Sequence, residues 1–400
     1  MHSPQLIVNA LDSTDTTMST MVILMIVTIA MYWVMRKFNK PMFFGGVIAG
    51  MVISWLHIPK QYFDISSCGN MGEVGVNIYL MLLGARFNYR MITERRGGIT
   101  VSVISGIIPF FCGMIIAPLI YPYNHTPLSE FEFSLIVGLC MSIASLSLIS
   151  LFLNQTRLIE KPIGHIGLMA AGFDDLLFWI VYGGLLVVLQ KNEIIRYNSI
   201  GTFIVYIGLL VFVCPRIVRY LSGRIKSTME MRAFLLCGCL ISCIAADSAN
   251  IHQVFGAFAF GLMLPRDNPL ITKIKQSLEE FITVFFLPIF FAEVGMLANS
   301  NLVADFNLII VGLLVSAAAF SSKFFAVYIP NTYLYKNQAG ESAFLASLLN
   351  IRGVTEIIMM KIFYEVGFIS NAVFTVFVMS AMITTWVATS LIFRFRKYVP

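Results

Sequence analysis

Charge is scarce in this chain. Asp, Glu, Lys and Arg together make up 12% of its 400 residues, against about 25% in an ordinary soluble domain, which excludes a water-facing globular surface. Histidine is rarer still, at 5 residues, and the 7 cysteines (Cys68, Cys112, Cys140, Cys214, Cys237, Cys239 and Cys243) form no paired ligand motif. Cys237 and Cys239 make a lone C-x-C without a second pair, so the thiols read as packing groups inside apolar segments rather than as a metal site. No metal or organic cofactor is expected. The net charge of +6 sits in short loops, which gives no basis for a nucleic-acid partner. What the chain has instead is apolar length. Hydrophobic residues are 58% of the total, and apolar runs of about 20 residues recur from end to end, each suited to a hydrocarbon core about 30 Å thick.

These runs predict an all-α integral membrane protein with about thirteen transmembrane helices: 18–35, 42–57, 72–87, 99–121, 133–153, 163–189, 198–219, 229–246, 249–265, 278–298, 305–330, 341–363 and 368–393. Loop charges test the count. With loops after odd-numbered spans on one side, clusters such as Arg36-Lys37, Arg95-Arg96, Arg216 to Arg232 and Arg394 to Lys397 fall together, leaving only Lys60, Lys191, Arg196 and Lys361 opposite. The positive-inside rule then puts the N-terminus outside and the C-terminus in the cytoplasm. The first apolar run follows Asp12 and Asp15 rather than basic residues, so it is read as a retained span and not a cleaved leader. The expected organisation is a short extracytoplasmic segment over 1–17, a membrane domain over 18–393 and a short cytoplasmic tail over 394–400, with no soluble C-terminal domain.

A few charges remain at membrane depth. Asp174 and Asp175 lie in one of the most apolar stretches, Ile163 to Leu189, where each charge is disfavoured by roughly 2.5–3.5 kcal/mol on insertion scales. Such a pair points to the binding of protons and cations, and so to an ion-coupled transporter. Lys323, near the middle of its span, either pairs with Asp174 or snorkels to an interface. Arg352 and Glu356 are four apart and share a helix face, either as a structural lock between helices or as part of a coupling site; Asn350 and Gly353 beside them suit an interrupted helix. Ser142, Ser145, Ser147 and Ser150 suit close packing or cation ligation through oxygen. Asp247 lies beside a helix junction, His165 near a helix end, and Glu293 within an apolar run.

With these residues in view, the chain resembles the second monovalent cation:proton antiporter family, in its plant cation/proton exchanger and bacterial forms. Asn350 to Thr385 looks like that family's N-x-R-G-x-x-E, G-x-I-S and M-x-x-x-T-T series. Ala170 to Asp175 followed by Trp179 resembles its core carboxylate motif, and Phe255 to Leu262 and Phe290 to Met296 resemble two further segments. The resemblance implies an inverted-repeat Na+/H+ antiporter fold with core and dimerisation domains. It implies two crossed, broken helices at 133–153 and 341–363, cation and proton competing at Asp175, Asp174 paired with Lys323, and elevator-type alternating access in a homodimer. Ser142, Ser145 and Asn350 would lie near the site as possible ligands. The chain departs from the pattern at Gly45-Gly46, where a Glu is usual. It also departs at Ala144 and Ser147, where Thr and Pro are usual, and without that proline the first break is expected to be less sharp.

The expected activity is exchange of a monovalent cation, K+ or Na+, for protons across a bacterial inner membrane, not enzymatic catalysis. The nearest rival is Na+- or H+-coupled transport of a small organic solute on the same fold. An intramembrane aspartyl protease is disfavoured, because Asp247 follows Ala245-Ala246 rather than a G-x-G motif.

Overall fold

The structure, a computed structural model, describes residues 4–38, 40–56, 66–86, 96–189, 193–249, 251–265, 267–298, 305–333 and 337–399. Among these residues it is helical throughout, with no strand. The helices are α1 (Pro4–Lys37), α2 (Met42–Leu56), α3 (Ser66–Arg86), α4 (Arg96–Ile120), α5 (Glu130–Ser142), α6 (Leu146–Gln155), α7 (Pro162–Val188) and α8 (Glu193–Phe212). They continue with α9 (Cys214–Arg224), α10 (Thr228–Ser248), α11 (Gln253–Met263), α12 (Pro269–Leu297), α13 (Phe306–Tyr333), α14 (Ala339–Leu349), α15 (Val354–Glu365) and α16 (Asn371–Phe395).

Every expected span coincides with a helix or a broken pair, but the count of thirteen is not established. Nine helical stretches among the described residues are long and apolar enough to cross a bilayer, or ten if α8 and α9, bent by 41°, form one span. α2 and α11 are apolar but only 15 and 11 residues long. Of the loop cations, Lys60, Arg90, Arg95, Lys191, Arg266 and Lys336 lie outside the described residues.

The chain divides into two compact units. One comprises 1–29, 57–87 and 179–293. Its helices approach through glycines: a Cβ at Gly84 would lie 2.2 Å from the Phe258 carbonyl oxygen, and one at Gly261 would lie 2.0 Å from that of Met81. α3 and α11 therefore touch backbone to backbone, the contact that small residues permit where lipid supplies no hydrophobic drive. Trp179 packs on Phe258, with ring centroids 5.6 Å apart.

The second unit comprises 30–56, 88–178 and 294–400, and holds the polar interior. A Cβ at Gly113 would lie 2.7 Å from the Gly138 Cα, so α4 packs directly on α5. The expected continuous segments 133–153 and 341–363 are each split. α5 stops at Ser142 and α6 starts at Leu146; α14 stops at Leu349 and α15 starts at Val354. The first break is complete although Ser147 stands where a proline was expected. Ile143 and Ser145 take extended backbone angles (ψ 146° and 99°). That corrects the expectation of a less sharp break, and the reason is tertiary, as described next.

Candidate functional site

A helix leaves its last carbonyls and first N–H groups without intrahelical partners, so two broken helices at membrane depth carry polar groups that other parts of the chain must satisfy. Here the unwound segments satisfy each other first: the Ser145 N–H donates to the Ile351 carbonyl at 2.9 Å. Two cations then close the end of α5. Arg352 donates to the carbonyls of Cys140 at 2.9 Å and Met141 at 2.5 Å. Lys323, from α13, donates to the carbonyl of Ser142. Positive charge at a helix C-terminus also opposes the helix dipole. Thr385 of α16 clamps the second break, donating to the Arg352 carbonyl at 2.6 Å and accepting from the Arg352 N–H at 2.9 Å. Three carbonyls at the end of α5 are thus held by side chains, so the helix ends without a proline.

Both cations also bind carboxylates. Arg352 Nη1 meets Glu356 Oε1 at 3.0 Å, with both side chains fully buried. Lys323 Nζ meets Asp174 Oδ2 at 3.1 Å, also buried.

Asp174 has further partners on α4. Ser102 Oγ donates to its Oδ1 at 2.6 Å and Ser105 Oγ to its Oδ2 at 3.3 Å. These serines were not singled out in the sequence. Their only signal is a spacing of three inside an apolar span, which places them on one helix face.

Asp175 is different. It is 1% exposed, and neither carboxylate oxygen has a hydrogen-bond partner among the described residues. The N–H of Leu146, the first residue of α6, interacts with it more loosely than a hydrogen bond. A helix N-terminus favours negative charge, so the start of α6 suits an ionised Asp175.

The remaining expected residues fall as follows. Asn350 caps α14, donating through Nδ2 to the Ala346 carbonyl at 2.9 Å, and its Oδ1 is buried without a partner. Ser145 Oγ lies 3.3 Å from Ser147 Oγ. Ser142 donates to the Leu139 carbonyl at 2.8 Å and offers its own carbonyl to Lys323. Asp247 and His165 are exposed, outside this cluster. Glu293 lies against Gly69 in the other unit. The described cysteines are free, and no group of His, Cys, Asp or Glu suited to a resident metal occurs among the described residues.

The chemistry on offer is binding rather than bond-making. One buried carboxylate is saturated and paired; the next is open beside a helix N-terminus; unpartnered oxygens of Asn350 and Glu356 accompany it in the same unit. A buried carboxylate with no partner is strongly disfavoured unless it takes a proton or a cation.

Comparisons with known proteins bear on the family and the fold. The Na+/H+ antiporter NhaS4 of Synechocystis is 27% identical over 376 residues, covering 90% of this chain and 92% of that protein. Cation/H+ antiporter 15 of Arabidopsis thaliana is 23% identical over 388 residues, and this chain spans 47% of its length. K+/H+ antiporter 1 of Saccharomyces cerevisiae is 23% identical over 370 residues, 41% of its length. The structure of the sodium proton antiporter MjNhaP1 of Methanocaldococcus jannaschii superposes with a TM-score of 0.65 over 96% of this chain and 97% of that one, at 12% identity, which speaks for the fold. The family described as sodium/hydrogen exchanger, transmembrane, matches residues 21–397, and this chain, an integral membrane protein, belongs to it.

Proposed function

We propose that this protein is a secondary active antiporter that exchanges a monovalent cation for protons, with Asp175 as the shared binding site. The observation that carries the reading is the pair of unpartnered Asp175 oxygens at the crossing of two broken helices. The ionised carboxylate, with nearby backbone and side-chain oxygens, holds a desolvated K+ or Na+. The protonated carboxylate is neutral and crosses without metal. Ser142, Ser145 and Asn350 are the candidate additional ligands, through carbonyl, hydroxyl and amide oxygens respectively.

In this scheme Asp174 is the counter-charge of Lys323, and Arg352 with Glu356 fixes the crossing. When a cation binds, the carboxylate pair is shared anew, Lys323 is released from Asp174 and can carry a second proton, which makes the exchange electrogenic. Relatives named for Na+ and for K+ leave both cations as candidates. Movement of the core across the membrane as a rigid body supplies alternating access. A homodimer in a bacterial inner membrane, N-terminus outside and C-terminus inside, is the expected setting, with residues 18–393 as the exchanging domain.

The test is dissipation of a preset pH gradient in proteoliposomes on addition of K+, Na+, Li+ or Rb+. Cation-dependent dissipation that vanishes in Asp175→Asn supports the reading, and the ion series names the substrate. No response to any cation from folded, inserted protein overturns it and favours an organic solute.

A further inference from the structure

Ser102 and Ser105 have more acceptors than protons. The Ser102 hydroxyl lies 2.6 Å from Asp174 Oδ1 and 3.1 Å from the Ala170 carbonyl. The Ser105 hydroxyl lies 3.3 Å from Asp174 Oδ2 and 2.9 Å from the Ser102 carbonyl. Each has one proton to give, so each can turn between the carboxylate and a backbone oxygen. Both serines are buried, at 1% and 0% exposure, and no other polar side chain hydrogen-bonds Asp174 except Lys323 among the described residues. Hydrogen bonds from neutral donors favour the charged form of a carboxylate, and a donor to an ion makes one of the stronger bonds.

We propose that Ser102 and Ser105 are positioning residues that hold Asp174 as a carboxylate during the step in which Lys323 leaves it. This rests on the exchange reading above and assigns the group that takes over from the lysine. In that step Lys323 departs as an ammonium and releases its proton to water. Asp174 stays ionised, and both hydroxyl protons stay on their serines, turned fully onto Oδ1 and Oδ2. When Lys323 returns protonated, the hydroxyls relax towards Ala170 and Ser102. The groups facing Asp174 are then accounted for on each side: Ser102 and Ser105 from α4, Lys323 from α13, and Asp175 beside it on α7, with Arg352 and Glu356 farther off in the same unit.

The test is the pH profile of the voltage-dependent part of cation-driven exchange in proteoliposomes, the part that needs an ionised Asp174. Removing a donor makes the carboxylate harder to keep ionised, so the acid limb of the profile moves to higher pH. Ser102→Ala is expected to move it by about one pH unit, with maximal rate retained at alkaline pH. Ser105→Ala moves it less in the same direction, and Ser102→Thr, which keeps the hydroxyl, restores the original limb. If Ser102→Ala does not fold, Ser105→Ala and Ser102→Thr carry the comparison. An unmoved acid limb, or a loss of rate equal at every pH, overturns the assignment while leaving the exchange reading intact. A wild-type protein with no cation-coupled exchange overturns both.

Discussion

The two faces of α7 at its adjacent aspartates differ in every respect except burial. Successive residues on a helix point about 100° apart, so Asp174 and Asp175 look into different surroundings. Asp174 meets an ammonium and two hydroxyls. Asp175 accepts no hydrogen bond among the described residues and faces the N–H of Leu146 at the start of α6. A saturated acid is held in one state by its neighbours, whereas an open one takes its state from what binds. In the proposed exchange the pair divides the labour: Asp174 fixes the charge balance and Asp175 trades proton for cation.

The largest expected effect breaks the open face. Asp175→Asn keeps size and removes the charge, and cation-coupled proton flux should fall at least a hundredfold, a loss of about 2.7 kcal/mol at about 1.36 kcal/mol per tenfold. Flux within about tenfold of wild type would make the open oxygens irrelevant.

Next comes the frame that keeps the faces apart. Arg352→Met strips the Cys140 and Met141 carbonyls of their donor and leaves Glu356 buried and unpaired. Breaking a buried pair in this way costs about 3–5 kcal/mol, so the variant should lose most of its folded yield or thermal midpoint in detergent. Adding Glu356→Gln should recover part of that loss, since the uncompensated charge is gone. No recovery would place the whole cost in the carbonyls.

Asp174→Asn tests the saturated face. Exchange should persist with a reduced rate, and its dependence on membrane voltage should disappear, because Lys323 no longer has a charge to leave. Unchanged voltage dependence would remove the two-proton version of the cycle.

The smallest effect lies away from both faces. Lys40, between α1 and α2, donates to the Trp386 carbonyl, Thr389 Oγ1 and Ser390 Oγ at 2.8–2.9 Å, and its Nζ sits 4.4 Å from the Trp386 ring centroid. Partial burial pushes its pKa down from 10.5 to about 8. Between those values the unfolded chain binds a proton that the folded chain does not, so this group adds stability as pH rises from about 8 towards 10.5. A thermal midpoint measured at pH 7.5 and pH 10 should gain slightly less in Lys40→Met than in wild type. Identical gains would remove Lys40 from the pH dependence.

Much of this was legible in the sequence, for reasons that differ by residue. Asp174, Asp175, Lys323, Arg352 and Glu356 stand out because charge at membrane depth is costly and therefore rare. The second break announces itself through Asn350 and Gly353. The first does not: Ile143-Ala144-Ser145 contains neither Pro nor Gly, and its opening depends on Arg352 and Lys323, which lie far along the chain. Only the family resemblance pointed to it. Ser102 and Ser105 were hidden because a serine in an apolar helix commonly serves packing, and only the approach of α4 to α7 gives them a carboxylate. The number of spans stayed open because α2 and α11 are short and the apolar signal of a broken helix is continuous across its break.

The proposed exchange requires proton and cation to compete at Asp175 and not at Asp174. It is tested most directly by proton release on cation addition to the purified protein in weakly buffered detergent solution. Release is expected from wild type and from Asp174→Asn, and none from Asp175→Asn. Release that survives in Asp175→Asn and vanishes in Asp174→Asn would contradict it.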